Sequence, residues 1–300
     1  MSMNKKNNSV QPVKLDSETI RRLQLKELDT LIYFKEFCDR HKLLFYFCGG
    51  CCIGTLRNGG FIPWDDDIDI FMPRKDYERL PRLWKKYSKN PRFLCLKTDD
   101  EVFTGNIFTT IVDTDSTCVK MNQIDIDVPH GLVMDVFPLD GCPKGFKRKM
   151  QKLWAMIYAL FLAQVVPENH GGIMALGSRV LLGIFRGDKI RRKIWRLAER
   201  KMSKYKIKDC DCITELCAGP KYMSLEYPKE IFESAVLKEF EGHMMPIPVG
   251  YDTYLKMAFG DYMSVPPESE QVPHHDLYML DLDKPCGNGG TQCRRVESEE

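Results

Sequence analysis

Two aspartates two residues apart, Asp67 and Asp69, stand in the run Ile62-Pro63-Trp64-Asp65-Asp66-Asp67-Ile68-Asp69-Ile70. The alternation with Ile68 and Ile70 has the period of a β-strand, in which residues two apart share a face. Both carboxylates therefore point the same way, with the isoleucines turned to the core. Held side by side, they repel and call for a compensating cation. An oxygen donor set suits magnesium, with manganese as the second choice, rather than zinc.

A glycine pair, Gly49-Gly50, lies upstream and is followed by Cys51 and, further on, Arg57. Glycines at a turn let backbone N–H groups come close to a phosphate, and Arg57 adds a charge-assisted contact. Each signal alone is weak, since glycine pairs are usually turns and Asp-x-Asp is common on solvated strands. Together and in this order they carry weight. The run Ile124-Asp125-Ile126-Asp127-Val128 has the same alternation without a preceding glycine turn, and reads as a solvated hairpin face. Asp135, in Val133-Met134-Asp135-Val136-Phe137, has the apolar flanks of a central strand. An unpaired carboxylate is costly there, and it makes sense if it joins Asp67 and Asp69 around a metal. Asp65 and Asp66 read as turn residues or supports. Trp64 reads as a buried structural tryptophan, with cation–π stacking on a quaternary ammonium as the sharper alternative. His274 and His275 read as loop-surface residues.

These residues need elements to position them. The pattern predicts a helix from Asp16 to about His41, capped by Asp16 or Ser17. A buried strand follows over Leu43 to Cys48, then a short helix through Leu56, ended by Asn58-Gly59-Gly60. A strand is expected over Ile62 to Met72, and a helix capped by Asp76 runs to about Tyr87. Strands over Phe103 to Asp113 and Gln123 to Pro138 are expected to pair as a hairpin. The segment 144–208 is basic and helix-prone, with turn signals only around 167–172. It reads first as packed helices with solvated basic faces, and the sharper alternative is an interfacial contact with an anionic membrane. The expected organisation is a leader over 1–14 and a catalytic core over 15–143. After the helical segment, the rest of the catalytic domain covers 209–285 and a tail covers 286–300. The fold class is α+β, a mixed sheet flanked by helices with a helical insertion.

A formal net charge of +2 gives no electrostatic prior for nucleic acid, and none is expected as a partner. No stretch reaches the ~18 apolar residues of a spanning helix. The polar opening, with Lys5, Lys6, Asn7 and Asn8, is no secretory signal, so a cytoplasmic protein is expected. In that compartment the twelve cysteines are expected as free thiols. Cys210, Cys212, Cys217, Cys286 and Cys293 lack the paired spacing of a zinc site.

The stretch from Gly49-Gly50 through Gly60-Phe61-Ile62-Pro63-Trp64-Asp65-Asp66-Asp67-Ile68-Asp69-Ile70 closely resembles the signature of the LicD family of phosphocholine transferases. So does Gly131-Leu132-Val133-Met134-Asp135-Val136-Phe137-Pro138-Leu139-Asp140-Gly141. Pro246 to Tyr251 and Phe259 to Pro267 are similar to the family's closing motifs, so the resemblance spans about 15–267. It implies a nucleotidyltransferase-fold core with Asp67, Asp69 and Asp135 as catalytic metal ligands for magnesium. It also implies Gly49, Gly50, Cys51 and Arg57 as the donor-binding residues. The implied reaction moves phosphocholine from CDP-choline to a hydroxyl of a cell-surface, lipid-linked glycan and releases CMP, with Asp135 the carboxylate that helps deprotonate the acceptor. Two departures stand out. Cys51 replaces a small hydroxyl residue, and a thiol is the poorer donor; Asn58 stands where histidine often follows the arginine. The rival readings are transfer of phospho-ethanolamine, -glycerol or -ribitol, an Asp-x-Asp glycosyltransferase, a nucleotidyltransferase releasing pyrophosphate, and a non-catalytic glycan-binding module.

Overall fold

A computed structural model describes residues 11–164 and 172–286. Most of the expected leader, the turn signals at 167–171, nearly all of the tail and Cys293 lie outside them. The first helix, α1 (Ser17–His41), starts where Asp16 accepts a hydrogen bond from the Thr19 N–H at 2.8 Å. It ends at Lys42, whose φ of 53° lets the next N–H turn back to the Cys38 carbonyl. Its inner face carries Leu23, Leu28, Leu31, Phe34 and Phe37, but also the buried polar residues Gln24 and Glu27.

The central sheet is mixed and has seven strands. Its main path runs β1 (Tyr46–Phe47), β2 (Ile68–Pro73), β6 (Leu132–Cys142), β4 (Thr109–Asp113), β3 (Phe93–Leu96). β7 (Cys212–Glu215) pairs with the distal half of β6, and β8 (Tyr227–Pro228) with β7. β2 and β6 are parallel, with Ile68, Ile70, Met134 and Val136 all buried in the main core. α2 (Gly49–Arg57) and α3 (Arg74–Tyr87) flank the sheet with α1. Two smaller ribbons complete the β-structure: β9 (Ala235–Phe240) with β10 (His243–Pro248), and β5 (Thr117–Lys120) with β11 (Leu277–Asp281). α7 (Tyr251–Phe259) seats Tyr254 among Phe71, Tyr227 and Phe232.

The α+β class is as expected, and several boundaries move. The strand expected from Ile62 begins at Ile68. Pro63 and Trp64 form a turn, closed by the Asp65 N–H on the Ile62 carbonyl at 3.0 Å. The strand expected over Leu43 to Cys48 pairs only at Tyr46–Phe47, because the Asp76 carboxylate takes the Leu44 N–H at 3.2 Å. Asp76 therefore caps nothing on α3, which starts at Arg74 after Pro73. Ile124 to Val128 is not a strand, and Asp125 and Asp127 are exposed in a loop. β4 and β6 do pair antiparallel, but β5 intervenes in sequence and leaves the sheet to pair with β11.

Helices α4 (Gly145–Ala163), α5 (Gly172–Ile184) and α6 (Asp188–Met202) lie between β6 and β7. They enclose a second apolar cluster with Tyr158, Phe161, Trp195 and Met202, shared with Leu216, Cys217 and Met223. The Arg148 side chain keys α4 to the body, donating to Glu226, Gln151, Thr214 and the Met223 carbonyl. Among the described cysteines ten are free thiols, and Cys286 is disulfide-bonded, against the expectation of free thiols throughout.

Deeper in the sheet, Arg74 grips Asp140 through two hydrogen bonds of 2.8 and 2.6 Å, with the carboxylate fully buried. Removing one partner strands a charge in the core. Arg74→Met is therefore expected to cost about 3–5 kcal/mol in urea unfolding, and the double variant Arg74→Met with Asp140→Leu to recover most of it.

Candidate functional site

The parallel register of β2 and β6 sets Asp69 directly opposite Asp135. Paired residues on neighbouring strands lie about 4.8 Å apart and face the same side. Asp67 sits one residue before β2 and keeps the alternation, partly buried beside fully buried Ile68. All three sequence-singled aspartates therefore meet on one face of the sheet, near the start of β2. Burial, then the charges of Asp67, Asp135 and Asp65, holds the Asp69 carboxyl well above the usual carboxylate range. Burial also raises Asp135, opposed by Lys120, and Asp67, opposed by His275.

The loop between α2 and β2 is clamped from two sides. The Gln24 amide on α1 donates to the carbonyls of Ile62 and Asp65 at 3.0 and 2.9 Å. Glu241, held by Arg21, accepts the Phe61 N–H at 3.2 Å. Gly49 and Gly50 open α2, and the Gly49 N–H donates to the Tyr254 hydroxyl at 3.1 Å. A Cβ on Gly50 would sit 2.2 Å from a carboxylate oxygen of Asp65, so only glycine lets the helix start so close to the acidic loop. Cys51 is buried, its thiol aimed at the Asp67 carbonyl at 3.9 Å and raised well above the usual thiol range by burial. Arg57 is not beside the glycine turn. It ends α2, ~12 Å along the helix, where it lies 5.8 Å from the centre of the half-buried Trp64 ring and donates to the Ser264 carbonyl.

Four side chains complete the site that sequence reasoning passed over or set aside. Lys120, at the end of β5, brings its ammonium 3.9 Å from Asp135. His275, assigned from sequence to the loop surface, reaches the acids from just before β11. Its Nδ1 lies 3.3 Å from Asp66 and 3.8 Å from Asp67. Asp66 in turn accepts the N–H groups of His274 and His275 at 2.8 and 3.2 Å. Burial works against its charge, yet these bonds and the His275 charge hold it below the usual range. Glu27 on α1 is 3% exposed, one carboxylate oxygen lacks any hydrogen-bond partner, and burial with the charges of Asp67, Asp66 and Asp65 raises it strongly. Its signal was in the sequence: a glutamate on the apolar face of an amphipathic helix. Gln24, one turn earlier, gives the same signal. Lys120 and His275 had none, because the β5–β11 pairing that delivers them joins residues 157 to 164 positions apart and no local pattern encodes it.

Among the described residues, no group of three or more His, Cys, Asp or Glu side chains is placed to hold a metal ion. The donor chemistry nevertheless suits a hard divalent cation. The carboxylates outnumber nearby cations, and one oxygen of Asp135 is buried without a partner, a cost that oxygen coordination removes.

Replacing Asp69 with Asn is expected to abolish activity yet raise the melting temperature of the metal-free protein, since a neutral amide ends the repulsion. Asp125→Asn with Asp127→Asn should leave activity unchanged. An active Asp69→Asn protein beside an inactive Asp125/Asp127 variant would relocate the site.

Glu215, on β7, accepts the Tyr227 hydroxyl and is pushed up to about 7 from an ordinary 4.5 by burial. The folded form holds this proton more tightly than the unfolded chain. Its stabilisation is full below about 4.5 and is lost as pH rises through about 7, about 3 kcal/mol in all. Glu215→Gln should flatten that slope in denaturation measured from pH ~5 to ~8.

The sequence has parallels among known proteins. Residues 42–140 match the family model described as the LicD/FKTN/FKRP nucleotidyltransferase domain. Over 276 residues the chain is 32% identical to the lipopolysaccharide cholinephosphotransferase LicD of Haemophilus influenzae, covering 87% of this chain and 98% of that protein.

Proposed function

The chain belongs to the LicD family and is a transferase, and from that premise we propose that it moves phosphocholine from CDP-choline onto a hydroxyl of a lipopolysaccharide-type or other lipid-linked glycan. The observation that carries the reading is the register that sets Asp69 against Asp135 with Asp67 beside them, next to the N-terminal turn of α2. In the reaction an acceptor oxygen bonds to the donor phosphorus, the bond from phosphorus to CMP breaks, and CMP leaves. Asp67, Asp69 and Asp135 would hold magnesium, or manganese, which neutralises charge on the phosphoryl oxygens when bound.

The protein's own groups do the rest. The first turn of α2 presents the backbone N–H groups of Gly50 and Cys51 to a donor phosphate, while the Gly49 N–H is held by the Tyr254 hydroxyl and fixes the turn. Cys51 contributes through its backbone, since its thiol is turned inward. Arg57, at the far end of α2, meets a different part of the donor than the glycine turn does. Asp135 takes the acceptor's proton. Lys120, within 3.9 Å of Asp135, limits the repulsion that the carboxylates exert on an incoming phosphate.

Incubation with CDP-choline, CDP-ethanolamine, CDP-glycerol and CDP-ribitol, reading CMP, tests the proposal. CMP from CDP-choline alone is the expected result. A nucleoside diphosphate product from a sugar donor would make the protein a glycosyltransferase, and pyrophosphate from CTP a nucleotidyltransferase. Arg57→Ala should weaken CDP-choline binding by about 2 kcal/mol in calorimetry, in the range of one charge-assisted contact, with the turnover rate much less affected.

A further inference from the structure

We propose that the outer face of α5, with the basic residues around it, is a docking surface for an anionic lipid bilayer. The apolar residues of the helical segment divide into two sets. Leu160, Phe161 and Trp195 are buried in the second cluster, with Trp154, Ile157 and Leu182 packed against it. On α5, Ala175 and Ser178 also face inward, and Phe185 packs edge-on against Phe161 at 5.9 Å. The opposite side of α5 is apolar too. Leu176, Val180 and Ile184 are 62, 51 and 66% exposed, and a spacing of four residues aligns them in one row. Phe146 at the start of α4 is 75% exposed, and Leu153 on the same helix is 42% exposed. A helix with one apolar face in the core and a second toward water has more apolar surface than folding uses.

Charge selects the occupant. Residues 144–198 hold twelve Lys and Arg against two Asp and Glu, while the whole chain carries a net +2, so the remainder is net negative. Between residues 172 and 187 there is no acidic side chain. Arg186, Lys189 and Lys193 are exposed just beyond the row. A second copy of the same face would bring like charges together. A nucleic acid would match the cations but gain nothing from Leu176, Val180 and Ile184. An anionic bilayer answers both features: headgroups take the cations and the acyl boundary takes the row. α5 has 13 residues, against about 20 for a bilayer span, so it lies in the plane of the surface. Among the described residues no helix is long and apolar enough to cross.

The full chain would be sedimented with phosphatidylcholine vesicles and with vesicles containing phosphatidylglycerol. Binding to the anionic vesicles alone, weakening as salt rises, is expected. The triple variant Leu176→Gln, Val180→Gln, Ile184→Gln should bind at least about tenfold more weakly, and so should Lys189→Glu with Lys193→Glu. Circular dichroism and CMP release from the soluble donor, unchanged in both variants, separate loss of docking from loss of fold or site. No binding to anionic vesicles at low salt overturns the proposal. So does undiminished binding of the triple variant, or a concentration-dependent dimer that the same three substitutions abolish.

Discussion

The acidic cluster follows from one parallel strand pairing. Once β2 lies beside β6 in this register, Asp69 and Asp135 must be neighbours, both in a layer whose adjacent residues, Ile68, Ile70, Met134 and Val136, are buried. Like charges in a low-dielectric surrounding repel far more strongly than in water. Burial first, and the neighbouring carboxylates after it, raises the carboxyls of Asp65, Asp67, Asp69 and Asp135. The arrangement is unfavourable to the fold taken alone, and proteins keep such strain where another function requires it.

The neighbouring elements hold the conflict in place. Gln24 on α1 ties down both ends of the Ile62 to Asp65 turn, so the repelling carboxylates cannot relax by moving the loop. The β5–β11 ribbon brings two side chains to the acids from separate points of the chain, the Lys120 ammonium and the His275 imidazole. Asp66 differs from its neighbours because its oxygens are taken by backbone N–H groups and the His275 ring. It is spent on fastening the segment before β11 across the acidic loop. Three consecutive aspartates thus do different work: Asp65 packs under Gly50, Asp66 fastens a distant segment, and Asp67 faces the site.

The extent to which this was readable in the sequence follows the range of the interactions. The alternation at Asp67 to Ile70 and the apolar flanks of Asp135 are local, and both were legible. That the two strands are adjacent and in this register is a long-range fact that no local pattern encodes; only the convergence of Asp135 with Asp67 and Asp69 was expected, from its apolar flanks and from the family resemblance. Ile124 to Val128 shows how alternation misleads: the pattern is that of a strand, but the segment is a loop. Glu27 and Gln24 were visible as polar residues on an apolar helix face, although their target was not. His275 was misplaced, because a histidine in a loop looks the same whether or not a distant aspartate turns it inward.

Cys51 illustrates how a substitution at a motif position is absorbed by its surroundings. A hydroxyl there has a strong donor to offer, and a thiol does not. The thiol instead points to the Asp67 carbonyl, within a helix turn closed by the Thr55 hydroxyl on the Cys51 carbonyl at 2.7 Å. Buried beside Asp65 and Asp69, it is held firmly in its neutral form, so it adds no further negative charge to a site already crowded with carboxylates. Sulfur also fills more space than oxygen, which suits a position packed in the main core with Cys48 and Cys52. Backbone N–H groups at the start of a helix do not depend on the side chain they belong to. The anion-binding capacity of this turn is therefore a property of where α2 begins, set by Gly49, Gly50 and the Tyr254 hydroxyl, and it survives the change of side chain.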